Sequence, residues 1–234
     1  MDGKTAAFSQ RLKKLSSSLI SDVLDECGYP QQVLSSKITP LARDMHMAGP
    51  ALCFGGMAIA KIPNDNKPAI SSYEIDHRVI SGGVVLIATQ DYSASSVIGG
   101  LMALGFVKKD CAGIVTDGGI RDVKEILDLG LPVFCQYINP RNSAKRWTLT
   151  DIDRPISLPG QETSQVIVEP MDYVIGDADG IVIIPQAIAA DVIPWAEHLA
   201  AIEENIVHRM QLGFTREDVF KANPRFSHIR RLKP

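Results

Sequence analysis

The chain has 234 residues, 45% of them hydrophobic and 22% charged, an ordinary globular composition with enough length for one large domain and its own core. The formal net charge is −3 at pH 7, and the basic tail Arg225–Lys233 is short, so a nucleic-acid partner is not expected. The N-terminus lacks the apolar core of a signal peptide and no apolar run could span a bilayer, so the expectation is a cytoplasmic protein without a membrane partner.

In chain order, residues Thr5 to Cys27 carry leucines and valines at helix spacing. The run Ser16-Ser17-Ser18 divides them into an arm and a second helix, and Gly28 and Pro30 act as the stop. The helical N-terminal part thus occupies about residues 1–30. Met47 to Phe54 reads as a buried strand, Gly55-Gly56 as a bulge or turn, and Met57 to Ile62 as a second strand, with a polar loop over Pro63 to Lys67. Pro68 to Val79 settles no period. Val84 to Ala88 is the clearest buried strand in the chain. A polar link, Gln90 to Ala94, leads to Gly99-Gly100 and a helix over Leu101 to Lys108, with Leu101, Leu104, Gly105 and Val107 available for packing.

The stretch Cys111 to Cys135 reads as strand, glycine turn, helix and strand. Gly113 to Thr116 is a strand, Asp117-Gly118-Gly119 the turn that breaks it, and Asp122 to Glu125 a capping box opening a helix that Gly130 and Pro132 end. A βαβ unit puts such a turn at the carboxyl end of a strand, where ligands gather in open α/β sheets. The turn carries Arg121, a planar fork for a carboxylate, beside Asp122, a hard oxygen for a cation or simply a cap. Asp117 reads as a turn residue.

Asn139 to Thr163 reads as loop-rich, with prolines and a cluster of charge, and is too long for a plain connection, so it is expected to serve function or an oligomer contact. Val166 to Val168 is a strand. Tyr173–Ile175 and Ile181–Ile184 form a hairpin around Asp177-Ala178-Asp179-Gly180. Gln186 to Gln211 is helical and Gly213 ends it. Cysteines 27, 53, 111 and 135 show no CxxC spacing and read as buried free thiols, which suits a reducing compartment. The five histidines show no metal-ligand spacing. Strands in βαβ order followed by hairpins predict a layered α/β domain with a mixed sheet.

Several segments together resemble one family: Ser21-Asp22-Val23-Leu24-Asp25, Ala48-Gly49-Pro50-Ala51, Gly99-Gly100-Leu101-Met102, Asp117 to Asp122, Leu131-Pro132-Val133-Phe134 and Gly176 to Pro185. The order is similar to that of the class II pyruvate aldolases, which cleave 4-hydroxy-4-methyl-2-oxoglutarate and decarboxylate oxaloacetate. The same family holds the regulators of ribonuclease activity A, which work by binding a protein. The resemblance covers roughly Ser16 to Gly213. It implies a single swivelling β/β/α-type domain over residues 1–234, assembled as a homotrimer or homohexamer.

The resemblance also implies a metal-dependent carbon–carbon lyase that releases pyruvate from a small 2-oxo acid, and the alternative is a non-catalytic protein-binding regulator. Arg121 would be the catalytic residue, holding the carboxylate and keto oxygen of the substrate and stabilising enolate charge. The backbone of Gly99, Gly100, Leu101 and Met102 would bind the substrate carboxylate. Asp122 would hold Mg²⁺ or Mn²⁺, and Glu203 would reach a neighbouring subunit's metal through water. Catalytic members carry an acid at the position of Gly100, which this chain lacks.

Overall fold

The computed structural model describes residues 3–59 and 70–232. The expected end of the second strand (Ala60 to Ile62), the loop Pro63 to Lys67, Pro68 and Ala69, and Lys233 of the basic tail lie outside the described residues.

The chain opens with helices α1 (Gly3–Leu12) and α2 (Ser17–Cys27). Ser16 caps α2 by accepting from Leu19 N, and Gly28 ends it with φ of 97°, a left-handed conformation that glycine adopts without steric cost. Then come β1 (Thr39–Pro40), β2 (Met47–Ala58), α3 (Tyr73–Arg78), β3 (Val84–Ala88), β4 (Ser96–Ile98), α4 (Gly100–Val107), β5 (Gly113–Ile120), α5 (Val123–Asp128) and β6 (Val133–Ile138). Strands β7 (Trp147–Ile152), β8 (Ile156–Pro159), β9 (Gln165–Val168), β10 (Tyr173–Asp177) and β11 (Gly180–Ile184) follow, and α6 (Ala189–Gln211) and α7 (Arg216–Ala222) complete the chain.

Nine strands share one mixed sheet in the order β1-β6-β5-β3-β2-β10-β11, with β4 added on β5 and β7 added on β2. The pairs β2–β3, β3–β5, β4–β5 and β5–β6 are parallel. The β10–β11 hairpin and its contact with β2 are antiparallel. Strands β8 and β9 form a separate hairpin. This is the layered α/β architecture with a mixed sheet that the order of motifs predicts.

Side-chain alternation divides the core. Val85 and Ile87 of β3 face a cluster with Phe106 of α4 and Ile126 of α5, whereas Val84, Leu86 and Ala88 face one with Ile156 and Leu158 of β8 and Val166 and Val168 of β9. Period-two alternation of a strand buried on both sides accounts for that division. A third cluster joins α1, α2 and α6 to β10 and β11 through Ile20, Leu24, Val192, Leu199, Ile175 and Val182.

Four expectations are corrected. Met47–Ala58 is one strand rather than two, and of the two readings of Gly55-Gly56 the bulge holds, a register shift against β7. Asp117-Gly118-Gly119 does not break β5, which runs through to Ile120. A Cβ on Gly119 would meet the Tyr137 ring at 2.2 Å and one on Gly118 would meet Thr89 Cγ2 at 2.7 Å, so these glycines admit neighbours rather than turn the chain. Asn139 to Thr163 contains β7 and β8, because Trp147–Ile152 finds its partner in β2. Leu101 does not pack in the core but is 85% exposed, while Ala103 and Phe106 are the buried residues of α4.

All four cysteines are free and buried. Burial pushes the Cys53 thiol up to about 12 and those of Cys111 and Cys135 up to about 11, so they are inert packing groups.

Candidate active site

Two strand-to-helix turns lie side by side because β4 and β5 are parallel neighbours. The first runs from Ile98 through Gly99 into α4, the second from Ile120 through Arg121 and Asp122 into α5. Arg121 N donates to Ile98 O at 3.0 Å and clips them together.

Gly99 is the N-cap of α4 and has no side chain with which to cap it. Ala103 N donates to Gly99 O, so the amides of Leu101 and Met102, which precede it in the first turn, have no acceptor inside the helix. The Gly100 N–H donates to Asp122 Oδ2 at 3.0 Å. Arg121 Nε stands 3.6 Å from that same oxygen. Glycine eases the approach: a Cβ on Gly99 would lie 2.9 Å from Asp122 Oδ2 and 3.0 Å from Arg121 Nε, and these side chains would have to shift.

Asp122 differs from expectation in how it starts α5. Its backbone is left-handed at φ 60°, ψ 42°, and its side chain makes no capping hydrogen bond. The capping box with Glu125 therefore does not form. A non-glycine residue in this region is uncommon, and aspartate is among the few that tolerate it. The conformation turns the carboxylate across to Gly100. Its second oxygen, Oδ1, has no hydrogen-bond partner among the described residues. The Arg121 and Asp122 side chains are 33% and 36% exposed, so both remain open to solvent.

Asp117, earlier on β5, is buried and accepts from Thr89 N at 2.7 Å. Burial raises its carboxyl above the ordinary range, and the Thr89 amide partly opposes that rise. Tyr137, not singled out from sequence, covers Gly119 and donates to Tyr92 O at 2.6 Å. A glycine followed by an aromatic residue on the adjacent strand is a weak signal, readable only once the strand order is known.

The structure brings Arg121, Asp122 and the Gly99–Met102 turn together. It does not bring Glu203 to them within one chain. Glu203 lies on α6, which packs in the cluster with α2, and it pairs with Arg225, which also donates to Asp22. Among the described residues no group of three or more His, Cys, Asp or Glu is placed to hold a metal. No helix among the described residues is long and apolar enough to cross a membrane.

A family model described as Aldolase/RraA matches residues 17–183, more than half of the chain. The chain belongs to the Aldolase/RraA family. It is similar to a protein of Halalkalibacterium halodurans, provisionally named 4-hydroxy-4-methyl-2-oxoglutarate aldolase, at 30% identity over 199 residues, covering 84% of this chain and 85% of that protein. It is 28% identical to Protein DlpA of Legionella pneumophila over 210 residues, which are 89% of this chain but only 32% of DlpA. Among solved structures, Streptomyces coelicolor RraAS2, described as an unusual member of the RNase ES inhibitor RraA family, superposes with a TM-score of 0.74 at 25% identity over 90% of this chain and 98% of that one. Both the aldolase and the ribonuclease-inhibitor names occur among family members, as the motifs imply.

Proposed function

We propose that this Aldolase/RraA member is a metal-dependent carbon–carbon lyase that releases pyruvate from a small 2-oxo acid, by aldol cleavage or by decarboxylation of oxaloacetate. One observation carries the reading: Arg121, Asp122 and the first turn of α4 converge, with Asp122 Oδ2 held by the Gly100 amide and Arg121 Nε 3.6 Å from that oxygen. The provisional aldolase name of the Halalkalibacterium relative supports it.

The residues fit a hard divalent cation. Asp122 offers an unengaged anionic oxygen, Oδ1, on a side chain 36% exposed. Asp122 would hold Mg²⁺ or Mn²⁺, ions that take oxygen ligands and keep several waters. Such an ion supplies Lewis-acid polarisation of a 2-oxo group. Arg121 would hold the substrate carboxylate through its planar fork and stabilise negative charge as an enolate develops. The amides at the start of α4 would orient the same carboxylate.

Assembly as a trimer or hexamer is part of this proposal, and exposed Leu101, beside the site, and Ile138 support it as contact residues. Glu203 would then act on a neighbouring subunit. Four unpaired thiols suit a cytoplasmic setting.

The test is pyruvate release from oxaloacetate and from 4-hydroxy-4-methyl-2-oxoglutarate, with Mg²⁺ or Mn²⁺ and with excess chelator. Metal-dependent release supports the lyase. No release with either ion gives way to the second reading, a protein-binding regulator, which the RraAS2 likeness and the missing side chain at Gly100 favour.

A further inference from the structure

Aldol cleavage needs a group that takes a proton from the hydroxyl of the breaking bond and a group that returns one to the enolate carbon. Arg121 is a permanent cation and cannot do this. Asp122 has one oxygen engaged by the Gly100 amide, and the lyase reading assigns its other oxygen to the cation. Asp117 is buried and engaged by the Thr89 amide. The remaining carboxylate at these turns is Glu125, in the first turn of α5.

Three observations single it out. The position a Cβ on Gly100 would take is 3.3 Å from Glu125 Cβ and 3.2 Å from Asp122 Cβ, so Glu125 borders the space that the missing side chain leaves at the start of α4. Glu125 is exposed, and its side chain has no hydrogen bond or ion pair among the described residues. Its usual employment is unavailable, because the left-handed backbone of Asp122 dissolves the capping box, and the adjacent Lys124 pairs with Asp128 instead.

We infer that Glu125 is the proton-carrying acid and base of this site, an inference that rests on the lyase reading. In aldol cleavage the Glu125 carboxylate takes the proton of the C4 hydroxyl. The C4–O bond becomes a carbonyl, the C3–C4 bond breaks, and its electron pair enters the enolate of pyruvate. The carboxylic acid then returns the proton to C3, giving pyruvate and the second oxo acid with no oxidant or reductant. In the reverse sense the same group takes a methyl proton from pyruvate and exchanges it with solvent.

The experiment follows exchange of pyruvate methyl protons in D₂O by NMR, with Mg²⁺, and oxalate affinity by calorimetry under the same conditions. Glu125→Gln should slow exchange by about 10²- to 10⁴-fold and leave oxalate affinity within about threefold of wild type, since only the proton-transfer step is lost. Exchange at the wild-type rate in Glu125→Gln overturns the role. A parallel loss of oxalate affinity also overturns it, because Glu125 would then be a binding or structural group. A wild-type protein that neither exchanges pyruvate nor cleaves a 2-oxo acid with any divalent ion overturns the lyase reading itself, and this inference with it.

Discussion

The backbone N–H of Gly100 donates to the Asp122 carboxylate at 3.0 Å, so the first residue of α4 fixes the side chain that precedes α5. That bond needs only a carbonyl-type oxygen, whereas a cation needs the negative charge. Asp122→Asn should keep the fold, since asparagine accepts the same bond and tolerates the left-handed backbone. Metal-dependent pyruvate release should disappear with little change in melting temperature. Full activity in this variant removes Asp122 from the metal site.

Gly99→Ala probes the space between the two turns. Its Cβ would sit 2.9 Å from Asp122 Oδ2 and 3.0 Å from Arg121 Nε, closer than atoms pack. Both side chains must move, and misplacement of about 1 Å can cost on the order of 10²-fold in rate. The expected result is a large fall in kcat/KM with a native circular dichroism spectrum, read from oxaloacetate kinetics.

Gly100→Asp should be tolerated by the fold. Gly100 is not among the positive-φ glycines, and its Cβ contacts of 3.2 and 3.3 Å ask neighbours to give by a few tenths of an ångström. An acid there sits at a helix N-terminus, where negative charge is favoured. Oxaloacetate decarboxylation should rise. A folded variant that binds Mg²⁺ no better and stays inactive counts against an aldolase pocket.

Gly119→Ala tests the packing behind the site. The added Cβ would meet the Tyr137 ring at 2.2 Å, a small-to-large change that typically costs about 1–3 kcal/mol. Urea unfolding should show a lower midpoint with an unchanged slope. Tyr137→Leu in the same background should recover part of the loss.

Two buried carboxylates predict a pH dependence. Burial raises Asp117 and Asp172 above the ordinary carboxylate value of 3.8, against the pull of the Thr89 amide on one and the Gln186 and Glu169 amides on the other. In the folded chain each holds its proton to higher pH than in the unfolded chain. Their contribution therefore favours folding below the unfolded value and is lost as pH rises through the folded one. Asp117→Asn should flatten this trend, measured by melting temperature across mildly acidic pH.

Much of the fold is legible in the sequence where a signal is local. Val84 to Ala88 is a run without a polar interruption, and a strand buried on both faces needs that. Asp177 to Gly180 has hairpin composition, and Ser16 and Gly28 bracket α2 as caps. The failures come from partners far along the chain. Asp117-Gly118-Gly119 has turn composition, yet β5 continues because Tyr137 and Thr89 occupy the space that its glycines leave. Trp147 to Ile152 becomes a strand only because β2 lies alongside. At the site, Arg121, Asp122 and the Gly99–Met102 turn were legible. The left-handed backbone of Asp122, and so the release of Glu125 from its capping role, was not, since the spacing of the two residues fits a capping box equally well.

Strand β2 also has a kinetic consequence. Its residues Met47–Pro50 pair with β10, Ala51–Gly55 with β3 and Phe54–Ala58 with β7. Only β3 is near in sequence; β7 begins at Trp147 and β10 at Tyr173. Closing loops of that length is an entropic cost that must be met before the pairing repays it. The central strand is therefore left half-paired until the ribosome has delivered β10. Until then its Met47–Pro50 backbone is an open edge, available to other chains as well as its own.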